Sequence, residues 1–399
     1  MLYALVLASL MSDFGMDRAT GGLLGSLTLA ASAAGGVLFG VIADRWGRTR
    51  ALSLSILIYS VFTALCGVAQ NVTQLAVFRL FLGIGMGGEW ASGAALVSET
   101  WPAEHRGKAL GLMQSCWAIG YAAAAIVVAL ILPPFGWRAV FLVGILPALF
   151  TWWIRRSVDE PEMWLRARQA AKAARAAAAP AAHVSPVSHA PAAPASPVSP
   201  VRPAMRGLWF LTIALTLMNA ATMFAWWGLN LWIPSYLSLP IEQGGVGLST
   251  MVMSSFVVAM QIGMWFGYVT FGFVSDRFGR KPTYVLYLLS AAALVFLYGT
   301  VRTPVALLAL GPFVAFFGTG YFSGFGAITA EIYPTSIRAT AQGFTYNIGR
   351  LASASAPFLV GAMAQEHGFG AAFTVTAIAY LTAAAFWVVI PETRGRALA

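Results

Sequence analysis

Eleven runs of predominantly apolar residues, each about twenty residues long or more, follow one another along this chain. About twenty apolar residues are needed for a helix to cross the roughly 30 Å of hydrocarbon in a bilayer. Charged residues make up only 10% of the sequence, whereas about a quarter of a soluble domain is charged. We therefore predict an all-α membrane protein. The runs are residues 19–43, 49–69, 73–97, 107–132, 137–154, 207–238, 249–275, 282–301, 304–330, 340–363 and 369–390.

The second half of the chain repeats the first at an offset of 232 residues. The same offset joins residues of identical type in several separate segments, which indicates an internal duplication. The pairs are Gly40 and Gly272, Asp44 and Asp276, Arg45 and Arg277, Gly47 and Gly279, Arg48 and Arg280, Glu99 and Glu331, Pro102 and Pro334, Arg106 and Arg338, Gly111 and Gly343, Gly136 and Gly368, and Phe141 and Phe373.

A twelfth apolar run, Leu2 to Met11, opens the chain. At about 1.5 Å per residue it is too short to cross the bilayer alone. Its counterpart in the second half extends from Leu208 to beyond Leu231. We therefore expect twelve spans, the first of them truncated, with residues missing before Met1. A signal peptide is the alternative, but no basic residue precedes the apolar stretch and no clear cleavage site follows it.

Most of the 24 Lys and Arg residues lie in connectors on one side of the predicted spans. The positive-inside rule makes that side cytoplasmic, which places both termini of a twelve-span, multi-pass inner-membrane protein there. The opposite side holds Arg18, Arg138 and Arg302. Topology thus accounts for the net charge of +10, and we expect no nucleic-acid partner. Cys66 and Cys116 lie within apolar runs, which indicates packing rather than a disulfide or a metal site.

The connector from Arg155 to Arg206 separates the two halves. Between residues 170 and 203 it is rich in Ala, Pro and Ser, a composition with little to bury, so we predict a disordered cytoplasmic linker. A short helix is expected near residues 164–179. His183 and His189 lie in this tract, where two histidines alone do not indicate a metal site.

Several motifs recur at matching places in the two halves. They are G-x-x-x-D-R-x-G-R from Gly40 and again from Gly272, and E-x-x-P-x-x-x-R from Glu99 and from Glu331; a further motif, R-x-x-x-G-x-G from Arg79, lies in the first half. Pro–Glu pairs at 161–162 and 391–392 close each half. Over nearly the whole chain, this pattern resembles the major facilitator superfamily of secondary transporters. Within that superfamily, the segments GMGGEW, ETWPAEHRGKALG, GWRAVFLVGILPALF and RRSVDEPEMW are most similar to proton symporters for carboxylates of the sialate and lactate group, with aromatic-acid symporters next.

The resemblance implies two six-span bundles that expose a central substrate site alternately to the two sides of the membrane. In this chain the bundles would be residues 1–154 and 207–399, joined by the linker 155–206. We expect a monomer in the lipid bilayer that binds a small anionic molecule and uses the proton gradient in place of a cofactor.

The repeated G-x-x-x-D-R-x-G-R loops place an Asp at the cytoplasmic end of a span and Arg residues just beyond it. Such charges can pair with neighbouring helix ends and hold the inner face closed until the bundles separate. They can also be simple topological anchors in a basic loop. With the charged residues of the E-x-x-P-x-x-x-R hinges, the predicted gating residues are Asp44, Arg45, Arg48, Asp276, Arg277, Arg280, Glu99, Arg106, Glu331 and Arg338.

Arg79 and Glu89 lie within the fourth span, where an unpaired charge costs on the order of several kcal/mol. Their ten-residue spacing separates them by about 15 Å along the helix and some 80° around it, so they cannot pair directly. A desolvated carboxyl at Glu89 is a candidate proton carrier. Arg79 resembles the buried arginine that the family links to proton coupling. Either residue can instead bond a neighbouring span.

Arg350 lies in the eleventh span, and we predict that it anchors the substrate, because a guanidinium binds a carboxylate through two hydrogen bonds. The alternative is that it pairs with Glu89 and only holds the bundles in register. Other polar and aromatic residues of the spans are candidates for lining the same cavity. The predicted substrate-binding residues are Arg350, Asn347, Gln114, Trp117, Asn219, Trp226, Asn230, Gln261 and Tyr321, with Trp227 a further candidate.

The seventh span departs from the lactate permeases, because Met223 and Trp227 stand where those proteins look to have a His and an acidic residue. We therefore expect proton-coupled uptake of another small organic anion, a monocarboxylate or a sugar acid. A sugar or polyol porter is the second hypothesis, since PETRG at Pro391 resembles the ending of sugar porters. An exporter and a transport-derived membrane sensor are further alternatives. No catalytic cluster or nucleotide loop indicates an enzyme.

Overall fold

The computed structural model describes residues 1–101, 106–166, 168–169, 208–334 and 338–394. Every regular element in this part of the chain is helical, which confirms the all-α prediction. The helices are α1 (Leu2–Phe14), α2 (Arg18–Trp46), α3 (Arg48–Cys66), α4 (Val72–Thr100), α5 (Arg106–Val143), α6 (Pro147–Ser157), α7 (Trp209–Ser238), α8 (Thr250–Phe278), α9 (Arg280–Thr300), α10 (Pro304–Thr319), α11 (Phe322–Ile332), α12 (Arg338–Ser353) and α13 (Ala356–Phe386), with a 3₁₀ turn at Ile241–Gln243.

Nine segments of the described chain are long and apolar enough to cross a membrane. Two of them, Gly111–Ser157 and Ala341–Phe386, contain 47 and 46 residues, about twice the length that one span requires. Each is interrupted at a glycine whose backbone is not helical, Gly136 (φ 74°) and Gly368 (φ 80°). Division at these glycines gives the eleven spans predicted from the sequence, and α1 is the shorter twelfth.

The duplication extends to the backbone conformation of the turns. Among the described residues, seven glycines have positive φ, and six of them fall into pairs 232 residues apart, at angles that other residues rarely adopt. Because the repeated glycines set the repeated turns, the offset seen in the sequence is also an offset in chain geometry. The pairs are Gly15 (61°) and Gly247 (77°), Gly47 (119°) and Gly279 (107°), and Gly136 (74°) and Gly368 (80°).

Close helix packing within each half depends on small residues. In the first half, α2 packs against α4, and a Cβ added at Gly35 or Gly87 would collide with the backbone of the facing helix. In the second half, α8 packs against α10, and Gly263 meets the backbone of Pro312 in the same way. In a membrane, lipid is as apolar as the helix surfaces, so the hydrophobic effect does not drive helices together. Small residues let the helix backbones approach closely enough for van der Waals packing.

Helices of the two halves pack against one another in the pairs α1 with α7, α2 with α12, α2 with α13, and α5 with α8. One buried apolar cluster runs through both halves. Helix α1 is only 13 residues long, or about 20 Å, so it does not cross the full hydrocarbon thickness. Its side chains from Leu5 to Leu7 are nevertheless buried, because neighbouring helices surround it.

The predicted linker, residues 155–206, lies largely outside the described residues. In its described part, residues 162–166 and 168–169 are helical. Trp164 of this stretch is buried, and its indole nitrogen donates to the carbonyl oxygen of Asp44 at 3.0 Å. The start of the linker is therefore attached to the end of α2, while the division of the chain into two bundles stays a prediction.

Replacement of Gly368 by alanine tests the turn between the last two spans. Its φ of 80° and ψ of 169° fall in a region open almost only to glycine, so Gly368→Ala is expected to destabilise the fold by about 1–3 kcal/mol. The control is Gly120→Ala, at a helical glycine with open space around it, where alanine should be neutral or slightly stabilising. Thermal unfolding of the purified variants measures the difference, and equal melting temperatures would contradict it.

Candidate functional site

An aromatic and amide cluster lies where the two halves meet. Trp90 of α4 stacks on Tyr346 of α12, with ring centroids 4.8 Å apart and planes 7° apart. The Trp90 indole nitrogen donates to Oε1 of Gln114 on α5 at 3.2 Å. Trp117 of α5 meets Trp227 of α7 edge-on, with centroids 5.9 Å apart. We call these five residues the central cluster, because each half contributes to it.

Arg350 adjoins the central cluster from α12. It follows Tyr346 by about one helical turn, and the two side chains interact electrostatically. Arg350 is only 8% exposed. Within the described chain, its guanidinium makes no ion pair and no hydrogen bond, with Glu89 or with any other residue. Since an unpaired buried charge is costly, this guanidinium is available for an anion.

Arg79 has neutral protein partners. It is 4% exposed, its Nε donates to the carbonyl oxygen of Leu24 at 3.2 Å, and its guanidinium lies 3.4 Å from the centroid of the Tyr3 ring. A backbone carbonyl and a ring face therefore stabilise its charge. Glu89 is exposed and lies close enough to Tyr59 of α3 for electrostatic interaction, but it makes no ion pair within the described residues.

Three of the predicted substrate-binding residues bond backbone carbonyls. The amide nitrogen of Asn219 donates to Thr345 at 3.3 Å, and that of Asn347 donates to Gly343 at 2.9 Å. The Tyr321 hydroxyl donates to the Thr222 carbonyl at 3.4 Å. Asn219 and Tyr321 are also 1% exposed, so in this structure both take part in helix packing, and their place in the site stays a prediction.

The remaining predicted residues differ in their surroundings. Trp226 is 4% exposed, and the backbone carbonyl of Asn230 accepts a hydrogen bond from Tyr121 of α5 at 3.4 Å. Gln261 of α8 is 4% exposed, and its Oε1 has no hydrogen-bond partner within the described chain. A buried carbonyl oxygen without a donor is unusual, which keeps Gln261 a candidate for contact with a ligand.

Sequence reasoning missed three aromatic residues at this interface. Trp90 directly follows Glu89, and Tyr346 precedes Arg350 by four residues on the same helix face. Tyr268 of α8 interacts with both Gln114 and Tyr346. The i, i+4 spacing was the signal available for Tyr346, whereas nothing in the sequence pairs Trp90 with it.

Two charge clusters of the same construction lie at the ends of α2 and α8. Arg48 pairs with Asp44 and with Glu99, both at 2.8 Å. Arg280 pairs with Asp276 at 2.5 Å and with Glu331 at 3.2 Å. We call these the inner clusters. Six predicted gating residues thus come together in threes. The other four are Arg45 and Arg277, which make no ion pair within the described residues, and Arg106 and Arg338, whose side chains lie outside the described part of the chain.

A carboxylate from a distant part of the chain completes the first inner cluster. Glu160 accepts hydrogen bonds from the backbone N–H groups of Thr49 and Arg50, both at 3.2 Å. These groups belong to the first turn of α3, whose N–H groups have no partner within the helix and form the positive end of its dipole. Glu160 therefore caps α3 and ties it to the start of the linker.

Glu392 does the same for α9 in the second cluster. It accepts from the backbone N–H groups of Arg280 at 2.9 Å and Lys281 at 3.0 Å. Burial tends to raise the pKa of the Glu392 carboxyl, but backbone donors, which include Arg394 and Thr393, outweigh burial and lower that pKa below its usual value. Its charge is therefore stabilised, and neither inner cluster bonds the opposite half within the described residues.

Two recesses of about 320 and 340 Å³ are lined almost entirely by apolar side chains. Neither is lined by an ionisable residue. They lie along the outside of α5 and α8 and of α8 and α10, so they are unsuited to an anion.

Comparison with known proteins gives concordant matches. A family model described as Major Facilitator Superfamily matches residues 1–270 and 237–398. The chain is 33% identical to a putative metabolite transport protein of Haemophilus influenzae, covering 100% of this chain and 93% of that protein. It is 34% identical to a probable 4-methylmuconolactone transporter of Cupriavidus pinatubonensis, covering 100% and 87%. It is 31% identical to a cis,cis-muconate transport protein of Acinetobacter baylyi, covering 95% and 87%.

A solved structure of a D-xylose–proton symporter matches with a TM-score of 0.77. The match covers 100% of this chain and 95% of the symporter, at 21% identity. At that identity, the likeness concerns the fold alone.

In the first inner cluster, the two acidic residues are expected to contribute unequally to the stability of the fold. Glu99 has a side chain 19% exposed and accepts several bonds from Arg48, whereas Asp44 is 73% exposed and accepts one. Glu99→Gln should therefore cost about 1.5–3 kcal/mol of stability, and Asp44→Asn under about 1 kcal/mol. Thermal unfolding of the two isosteric variants compares them. An equal or larger loss in Asp44→Asn would show that the buried member does not dominate the cluster.

Proposed function

This chain belongs to the major facilitator superfamily, and from that premise we propose that it takes up a small organic anion together with protons by alternating access. The family contains transporters, not enzymes. The observation that supports the choice of an anion is the buried, unpaired guanidinium of Arg350 beside the central cluster. Relatives named for transport of muconate and of methylmuconolactone agree with this choice.

Arg350 receives the carboxylate of the substrate. A guanidinium offers parallel N–H donors that match the two oxygens of a carboxylate, and its charge gains most from an anion where water is scarce. A neutral sugar would leave this charge without compensation. Gln261 supplies an acceptor for a substrate hydroxyl or N–H group from α8, because its buried Oε1 has no partner among the described residues.

The central cluster receives the apolar body of the substrate. Trp90, Tyr346, Trp117 and Trp227 present ring faces and edges from both halves. Flat or conjugated acids lie well against such surfaces, since offset stacking favours parallel rings. Because the rings come from both halves, a substrate held among them contacts both halves at once, as alternating access requires.

Glu89 carries the coupled proton. It directly precedes Trp90 of the central cluster in α4, and it makes no ion pair within the described residues that would fix it in the charged form. Arg79 supports α4 by its bonds to Leu24 and Tyr3. The two residues thus act on the same helix at different depths.

The inner clusters make each half move as a unit and form the cytoplasmic gate together with Arg45, Arg277, Arg106 and Arg338. We place the clusters, both termini and the linker on the cytoplasmic side of the inner membrane, in agreement with the distribution of basic residues. The bundles would be residues 1–154 and 207–399 of a monomer.

The PETRG segment does not favour a sugar porter. Its Glu392 caps α9, and Glu160 of the first half caps α3 in the same manner without the remaining residues of that segment. A capping role shared by Glu160 and Glu392, which lie 232 residues apart, therefore accounts for the glutamate of this segment.

Arg350→Lys tests the anion site. Lysine keeps the charge but loses the planar fork, so the half-saturation concentration for uptake should rise about tenfold, the equivalent of about 1.4 kcal/mol. Proteoliposomes with an imposed pH gradient and a panel of labelled carboxylates and sugars provide the measurement. Arg302→Lys, at a residue that bonds the Gly244 carbonyl, is the matched control. Unchanged half-saturation in Arg350→Lys, or uptake of sugars alone, would refute the assignment.

Glu89→Gln tests proton coupling. Glutamine cannot release a proton, so accumulation driven by a pH gradient should be lost while exchange of labelled for unlabelled substrate persists. The control is Glu366→Gln, at an exposed carboxylate of α13, which should leave both activities intact. Accumulation at the level of the unmodified protein in Glu89→Gln would place the coupling group elsewhere.

A further inference from the structure

Arg18, the first residue of α2, bonds the opposite half of the molecule. Its Nη1 donates to the carbonyl oxygen of Ala364 at 2.5 Å, and its Nη2 donates to the carbonyl oxygen of Gln243. The guanidinium also lies 4.8 Å from the centroid of the Phe369 ring. One side chain from the first half thus holds two separate segments of the second.

Neighbouring residues of α2 strengthen this connection. The backbone N–H of Ala19 donates to Oε1 of Gln365 at 3.2 Å, and two turns further on Ser26 Oγ accepts from the backbone N–H of Phe358 at 3.1 Å. We call the bonds made by Arg18, Ala19 and Ser26 the outer contact. It lies on the face that the basic residues assign to the outside.

The other basic residues of this face bond within their own half. Arg138 pairs with Asp13 at 2.9 Å, and Arg302 donates to the carbonyl oxygen of Gly244 at 2.8 Å. The inner clusters are likewise confined to one half each in the described chain. Arg18 therefore differs from the other basic residues of this face in that its bonds join the two halves.

We propose that Arg18 is a positioning residue for transport, whose bonds hold the outer ends of the halves together and favour the inward-facing state. This inference rests on the proposed alternating-access function. The outer contact must break each time the central cluster opens to the outside. The acceptors of Arg18 are neutral carbonyls rather than carboxylates. Its hydrogen bonds are charge-assisted because the donor is charged, and breaking them leaves no unpaired carboxylate behind.

Loss of these bonds should shift the population toward the outward-facing state. Removal of hydrogen bonds to a charged group predicts a shift of roughly tenfold. The apparent affinity for external substrate depends on the fraction of molecules that is competent to bind it. Arg18→Gln should therefore lower the external half-saturation concentration, whereas a purely structural defect would lower only the amount of active protein and the maximal rate.

Thiol accessibility gives a readout that requires no substrate. Ser26→Cys places a reporter in the outer contact, in a Cys116→Ser background that removes the exposed native cysteine and leaves the buried Cys66. A membrane-impermeant maleimide is added to intact cells, and the background protein without the reporter is measured alongside. Arg18→Gln should raise the labelling rate about tenfold. The matched control is Arg138→Gln, on the same face, which should not.

Arg18→Lys provides a second variant, since lysine retains a charged donor but cannot fork between two carbonyls, and should give an intermediate labelling rate. Equal labelling of monodisperse Arg18→Gln and Arg138→Gln proteins would overturn the proposal and leave the transport function standing. A different outcome is that Arg18→Gln raises the labelling rate but the protein transports no carboxylate. That result would refute the proposed transport of an organic anion and would still support the role of Arg18 in holding the outer ends of the halves together.

Discussion

The cost of keeping a charge in the interior of a membrane protein governs the arrangement of this molecule. Arg79 and Arg350 are both almost fully buried, but the partners of their guanidinium groups differ. Arg79 has a backbone carbonyl and a tyrosine ring beside it, whereas the guanidinium of Arg350 makes no ion pair or hydrogen bond within the described residues. An incompletely compensated charge is tolerated where a ligand compensates it. In the role proposed for Arg350, stability and substrate binding are thus opposing demands on one side chain.

The duplication distinguishes residues that both halves share from residues that only one half has. The paired glycines, both inner clusters and the capping carboxylates occur in both halves at the same offset. The residues proposed for substrate binding, proton coupling and the outer contact do not repeat. The counterparts of Arg79, Glu89, Arg350 and Arg18 are Gly311, Tyr321, Ala118 and Thr250. Since a duplicated unit starts with identical copies, the differences mark positions where the two halves have acquired separate tasks.

Much of the fold follows from the sequence because its determinants are local. Span length, the turn glycines and the Asp–Arg spacing of the inner clusters are all set by residues near one another in the chain or by the repeat offset. The contacts that define the site are not local. Trp90 meets Tyr346 across the interface of the halves, Glu160 reaches α3 from more than a hundred residues away, and Asn219 is used in packing α7 against α12. No periodicity encodes which helix faces which, so sequence reasoning named Trp117 and Trp227 but missed Trp90 and Tyr346.

The distribution of bonds within and between the halves explains how such a molecule can move. The inner clusters connect helices of the same half through charged side chains and helix caps, so they resist deformation of that half without resisting its rotation. The bonds described between the halves are fewer, and their acceptors are neutral carbonyl and hydroxyl oxygens rather than carboxylates, with aromatic rings stacked nearby. An interface without ion pairs among the described residues suits alternating access, because it can open while each half keeps its internal packing.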